Sequence, residues 1–379
     1  MKKTFQLAFL ISIVLWAGGC DQRPAVSPPS GKTIKVAIIA PFSGPKQIKG
    51  EQGLAGIETA RKLQPYLQNG GRIELILEDD ENSPLLSVKA LEKLAAKEKV
   101  SAIITFSDSD PVLAMAAIAD VHKIPILVAT ATHPEITRRS RYVSQLCFDD
   151  NFQGTVAALF VRDELLIDKV AVFRNPANAY SSYLAAKFEG KFTSIGGEII
   201  ARIDVSPGTD DVSKIVKSLY AKTPELLYLP VRAEDVVRIS KESHKLGWKP
   251  KIMGGDGLIP YILTRYRGDL KILDGMLATD FFVAGIPLTP FGKRAKREHK
   301  GPKSTFAALG VEGFTLLLDA LNRCQEPEDR ECVNHQIRST SNFTGLAGSV
   351  TIGPDGKAQR PLFIESIQNG QSQFIVKVY

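Results

Sequence analysis

The sequence predicts an α/β protein made of two doubly wound units, and three observations carry that prediction. Strand-like apolar runs alternate with segments of helical period from residue 33 onward. The runs are nearly continuous, as in Val36-Ala37-Ile38-Ile39 and Ile126-Leu127-Val128, which is the pattern of a parallel sheet covered on both faces. The alternation restarts after Asp149-Asp150, so two units of similar size are expected.

In order, Thr33–Pro41 reads as a strand, Gly50–Tyr66 as a helix, Arg72–Asp79 as a strand and Pro84–Lys97 as a helix. Strand Ser101–Phe106, helix Pro111–Val121 and strand Pro125–Ala129 continue the series, and short connections impose right-handed βαβ units. The second unit runs through helix Phe152–Leu166, strand Lys169–Phe173, helix Ser182–Phe192 and strand Glu198–Ile203. Asp210–Tyr220, Leu226–Leu229, Glu234–Leu246 and Lys251–Met253 complete it. The last quarter differs: Pro290–Lys300 and Phe306–Asn322 read as helices. Gly348–Ile352, Leu362–Gln368 and Phe374–Tyr379 read as antiparallel strands with Gly-Pro-Asp-Gly and Asn-Gly turns.

Composition agrees with a folded chain. At 379 residues, 44% apolar and 23% charged, with 30 Gly and 22 Pro, it excludes disorder, collagen and coiled coil and allows about two domains. The net charge of +7 is less informative than it looks. Lys2 and Lys3 open a signal-like segment, and Arg23 and Lys32 against Asp21 belong to a linker, which leaves +4 for the part from Thr33.

Met1-Lys2-Lys3 and the apolar stretch Phe5 to Trp16 form a signal-peptide core, too short for a spanning helix, which needs about 20 residues. Ala17-Gly18-Gly19-Cys20 resembles the bacterial lipobox, which implies a signal peptide over residues 1–19 and a lipidated Cys20; the alternative is a plain secretory signal with a chance cysteine. Lipidation with more than one acyl chain gives stable anchoring to the bacterial cell membrane. Asp21 resembles an inner-membrane retention signal. Residues 20–32, with three prolines, form a flexible tether of about 35 Å. The folded part would then face the periplasm or the cell exterior.

Three cysteines remain. Cys324 and Cys332 flank a polar loop and, in an oxidising compartment, can close a small ring that contributes about 2.5 kcal/mol; the alternative is two free thiols at helix ends. Cys147, at an apolar strand end, reads as a buried inert thiol. His122, His133, His244, His299 and His335 show no ligand spacing with cysteines, so no metal is expected. No cofactor is expected either. Gly44 to Gly50 lacks the spacing and the Lys-Ser/Thr of a phosphate loop, and Gly255-Asp256-Gly257 lacks the third glycine of a dinucleotide turn. No Gly-x-Ser-x-Gly or His-Glu-x-x-His occurs, so the chain does not read as an enzyme. Lys293, Arg294, Lys296, Arg297, Lys300 and Lys303, and the smaller set Arg138, Arg139 and Arg141, read as solvated helix faces or as contacts for anionic lipid or a partner. Neither has interleaved aromatics, so nucleic acid is not expected.

What remains is a set of polar residues at the carboxyl ends of strands, where open α/β sheets bind ligands. Ser107-Asp108-Ser109-Asp110 precedes a helix start whose free amides suit a carboxylate, although both aspartates could equally be caps. Thr130-Ala131-Thr132, Tyr180 and Asp256 follow other strands. An anion site facing a carboxylate across two units would suit a zwitterion.

These segments resemble the leucine/isoleucine/valine-binding protein family, the branched-chain amino-acid type of ABC-transporter substrate-binding proteins. The resemblance runs from Ile34-Lys35-Val36-Ala37 and Ser43-Gly44-Pro45, through Ala131-Thr132-His133-Pro134-Glu135-Ile136-Thr137, Cys147-Phe148-Asp149-Asp150 and Gly196-Gly197-Glu198, to Met253-Gly254-Gly255-Asp256-Gly257 and Asp355-Gly356. It implies two Rossmann-like lobes around a ligand cleft, joined by hinge crossings near Asp150, Ala278 and Arg360. Lobe 1 would comprise residues 33–150 plus 279–360 and lobe 2 residues 151–278 plus 361–379. It further implies Ser109, Thr130 and Thr132 for the ligand's α-carboxylate and ammonium, with Tyr180 as an aromatic contact and Asp256 as the ammonium partner. Where relatives often carry aromatics, this chain has Lys49 and Arg232, either cations at the rim or groups facing the ligand side chain and selecting a polar or acidic one. The expected protein is a monomeric, membrane-anchored receptor that closes on an amino-acid-like solute and presents it to an ABC permease. A sensory subunit and an envelope-assembly interaction lipoprotein are the alternatives.

Overall fold

The computed structural model describes residues 31–206 and 211–379, so the signal segment, Cys20 and most of the tether lie outside the described residues. Strands β1 (Thr33–Ala40), β2 (Arg72–Asp79), β3 (Ala102–Thr105), β4 (Ile126–Val128) and β5 (Val143–Gln145) form a wholly parallel sheet in the order β2-β1-β3-β4-β5. Its central strands are buried on both faces, as their unbroken apolar runs require.

The second sheet collects β6 (Lys169–Arg174), β7 (Glu198–Asp204), β8 (Leu226–Leu229), β9 (Lys251–Gly254) and β10 (Leu277–Asp280). A small antiparallel sheet of β11 (Phe343–Thr344), β12 (Ser349–Ile352) and β13 (Ala358–Gln359) follows. The chain then returns as β14 (Leu362–Gln368) and β15 (Gln371–Val378), giving the order β15-β14-β10-β9-β8-β6-β7. Strands β6 to β10 run parallel, whereas β14 and β15 add antiparallel. Asn369 and Gly370 close that last hairpin with φ of 51° and 72°, the left-handed pair a two-residue turn needs.

Several elements depart from the sequence expectations. The first helix is Gln47–Leu63 rather than Gly50–Tyr66, because Pro65 disfavours helical geometry at Gln64 and Tyr66 instead bridges Arg72. Strand β5 and helices Glu135–Arg139, Leu258–Arg265 and Arg330–Arg338 have too few apolar residues, or too short a period, to be visible beforehand. Cys324 and Cys332 are joined in a disulfide, the latter in the first turn of Arg330–Arg338. Cys147 is buried, and desolvation pushes its thiol pKa well up.

Between its two passages through the second sheet the chain returns to the first unit. Helix Thr305–Asn322 packs directly on Gln47–Leu63: a Cβ on Gly56 would lie 2.1 Å from the Ala307 carbonyl oxygen, and one on Gly310 2.2 Å from that of Gly53. Only glycine permits this backbone contact. The chain thus passes between the units three times, after β5, after β10 and before β14.

Arg360 gathers these passages. Its guanidinium donates to the carbonyls of Leu146 (3.2 Å) and Phe281 (3.3 Å), one on each of the other two passages. It also lies 2.9 Å from the Glu312 carboxylate, both side chains being 3% exposed. The other Glu312 oxygen accepts from the Leu346 amide at 2.7 Å. Removing one partner of such a buried pair strands the other charge. Arg360→Met is expected to lose about 3–5 kcal/mol in urea unfolding. The double variant with Glu312→Gln should lose less than that single change.

Candidate functional site

A cavity of about 220 Å³ opens between the carboxyl ends of the two sheets. The first unit contributes Asn82 beyond β2, Asp108 and Ser109 beyond β3, Thr130 and Ala131 beyond β4, and Lys46 and Lys49 at the start of Gln47–Leu63. The second contributes Asn175 beyond β6, Pro230 to Ala233 beyond β8, and Gly255 and Asp256 beyond β9. Phe306 enters from helix Thr305–Asn322. Loops at this end of a parallel strand are the general location of ligand sites in open α/β sheets, and here two sets face each other.

The lobes meet along the cleft. Asp110 accepts from Asn178 Nδ2 at 2.7 Å and from the Ala179 amide at 3.2 Å, so a carboxylate of the first unit caps helix Ala179–Ser194 of the second. The Pro45 carbonyl accepts from the Tyr261 hydroxyl and from Arg265 Nη1 at 2.8 Å. These contacts join the two units across the cleft.

Six of the seven anticipated ligand residues line the cavity. Ser109 is the first residue of helix Ser109–His122, and its buried hydroxyl has no hydrogen-bond partner. Beside amides that lack intrahelical acceptors, it offers a carboxylate both a donor and a positive helix end. The Thr130 hydroxyl is committed as donor to the Ser107 carbonyl at 3.1 Å, which leaves its oxygen to accept, a role suited to an ammonium.

Thr132 departs from expectation. It does not line the cavity but is buried at 1% exposure behind it, its carbonyl accepting from the Asp150 amide at 2.9 Å. Its place is structural because the chain turns away from the cleft after Ala131 to enter the first passage.

On the opposite wall, Tyr180 passes so close over Gly255 that a Cβ there would lie 1.9 Å from the phenol oxygen. Asp256 has a buried oxygen with no hydrogen-bond partner. Burial pushes its pKa up to about 6, opposed first by Lys49 and then by Tyr180 and Gln153. Asp150 behind it is driven well up by burial and then by Asp256, with the Thr132 hydroxyl opposing. Asp256 is therefore a carboxylate short of a cation.

The two anticipated cations line the cavity, and each has a carboxylate partner. Lys49 is hydrogen-bonded to Asp108, with its ammonium 5.7 Å from the Phe306 ring centre. Arg232 forks onto Asp235 at 3.1 and 3.3 Å from the residue preceding helix Ala233–Lys245. Asp108 was legible only as a helix cap, yet its side chain caps nothing. Burial works to raise its pKa, but Lys46, Lys49 and Asn82 hold it well below the usual carboxylate range. Sequence reasoning missed Asp108, Lys46, Asn82, Tyr261 and Phe306 as site residues, since only the folded sheet brings these distant segments to one mouth.

Two doubly wound lobes, joined by three passages and enclosing a polar cavity at their strand ends, define a solute-binding protein of the bilobal class. The chain belongs to the periplasmic binding protein family, whose sequence profile matches residues 33–372. It is similar to a leucine-binding protein of Thermotoga maritima MSB8, with 29% identity and a TM-score of 0.84 over 91% of this chain and 98% of that one. The substrate-binding protein of a branched-chain amino acid transporter of Streptococcus pneumoniae, solved with isoleucine, aligns at 21% identity and a TM-score of 0.81, covering 92% and 100% of the two chains. A Leu/Ile/Val-binding protein of Rhizobium johnstonii is 24% identical over 351 residues, 88% of this chain and 90% of its own length.

The raised pKa of Asp256 has two measurable consequences. Without ligand, the protonated carboxyl favours folding, so stability relative to Asp256→Asn should fall as pH rises from about 4 through about 6, by at most about 3 kcal/mol in unfolding titrations. For a cationic ligand group the ionised form is needed. Affinity for an α-amino acid should therefore drop up to about tenfold per unit below pH 6, and that dependence should be absent in Asp256→Asn.

Proposed function

We propose that this chain is the solute-binding component of an ABC transporter, exported and held at the bacterial cell membrane through a lipidated Cys20. It captures an amino acid or similar small zwitterion by lobe closure and presents the closed form to the permease. Its role is binding and delivery, not catalysis. The observation that carries this reading is the polarity of the cavity: an unpartnered Ser109 hydroxyl at a helix start on one wall is set against an Asp256 carboxylate with one unpartnered oxygen on the other. A carboxylate and an ammonium carried by one small molecule would bridge them, and would touch both walls only when the lobes are closed. The likeness to binding proteins named for leucine and for Leu/Ile/Val supports the same class of solute.

The three passages form the hinge in this reading, with residues 33–150 and 279–360 as one lobe and 151–278 and 361–379 as the other. Ligand then shifts an open–closed equilibrium toward the closed state through contacts it makes only there. The bonds from Asn178 and Ala179 to Asp110 would form on closure.

Scattering from the chain beginning at Gly31 should show a smaller radius of gyration with bound amino acid. No compaction with any calorimetrically verified ligand would refute the closure mechanism. Ser109→Ala should weaken binding by about 1–3 kcal/mol through loss of a buried donor to the carboxylate. Asp110→Ala, at a residue that does not line the cavity, should weaken it about tenfold by favouring the open form.

A further inference from the structure

The charges lining the cavity do not balance. Its cations are Lys46, Lys49 and Arg232, and its carboxylates are Asp108 and Asp256. Asp108 is saturated: one oxygen takes Lys49, and the other takes Asn82 at 3.0 Å and Lys46 at 3.5 Å, so one carboxylate serves two ammonium groups. The partner of Arg232, Asp235, does not line the cavity and also lies 3.8 Å from Arg238. Glu234, whose field reaches Lys46, likewise does not line it and acts on Arg265 as well. A neutral zwitterion that engages Ser109 and Asp256 brings no net charge, so the two lysines still share the single carboxylate of Asp108. Uncompensated charge in such a place is costly, so an apolar side chain is the poorer match.

We propose that the solute carries a net negative charge, with a second anionic group, a side-chain carboxylate in the simplest case, seated between Lys46, Lys49 and Arg232. The inference rests on the reading of the cleft as an amino-acid site and adds the class of side chain. The methylene stem of a dicarboxylic amino acid would lie past Val231 and Phe306, and its terminal carboxylate would compete with Asp108 for the two lysines. Selectivity would then come from charge: a neutral side chain gains no ion pair here and strands the cations it covers.

The test is calorimetric titration of ligand-stripped protein beginning at Gly31 with L-aspartate, L-glutamate, L-leucine and glutarate. Binding of one of the acidic amino acids at least tenfold tighter than leucine is the expected result. Lys46→Gln with Arg232→Gln, both partly exposed, should bring the two classes toward parity in a variant shown to be folded by circular dichroism. Leucine binding tighter than both acidic amino acids overturns this proposal and leaves the amino-acid reading standing. Glutarate binding where no amino acid binds supports the anionic solute and overturns the zwitterion. Silence from all four overturns both.

Discussion

Arg360 sits where the three stretches of chain that join the two sheets come together, and the rest of the architecture depends on its pairing with Glu312. A guanidinium at that depth is tolerable only because a carboxylate and the carbonyls of Leu146 and Phe281 satisfy it. Those carbonyls belong to the ends of β5 and β10, so one side chain holds the exits of both sheets in fixed relation. Glu312 extends the hold to helix Thr305–Asn322, which also supplies Phe306 to the cavity. The base of the cleft is thus held by one buried side chain that touches all three passages.

A buried pair of acids lies close to the clamp. Asp280 ends β10 and Glu365 lies on the adjacent β14, both almost fully buried, and desolvation pushes both carboxyl pKa values up. Among the described residues no cation pairs with them; the Phe281 amide donates to Asp280 and the Ser372 hydroxyl to Glu365. Together with Asp150 and Asp256 they form a set of buried acids that resist ionisation, while Lys46, Lys49 and Arg232 line the cavity.

Which parts of this were legible beforehand follows from how each kind of information is carried. Strands β1, β3, β4 and β8 were visible because burial on both faces demands unbroken apolar runs. Strand β5, Val-Ser-Gln, has no such run, and its burial comes from neighbours far along the chain. Ser109, Thr130, Tyr180 and Asp256 could be singled out because the end of a parallel strand is a recurrent location for ligand contacts. Thr132, two residues beyond Thr130, was assigned to the site by motif and lies behind it, because position after a strand says nothing about where the backbone turns next.

The sequence alone determined the class of fold, the order of most elements, the break into two units after Asp150 and the closure of the Cys324–Cys332 loop as one of two open readings. These follow from local periodicity and from compositional rules acting over a few residues. Tertiary structure decided how the charges pair. That Lys49 meets Asp108 rather than open space, that Asp110 caps a helix of the other lobe, and that Arg360 binds three passages at once are facts about residues 59 to 214 positions apart. Electrostatic energy depends on distance and burial in the folded molecule, and neither quantity is written in the spacing of residues along the chain.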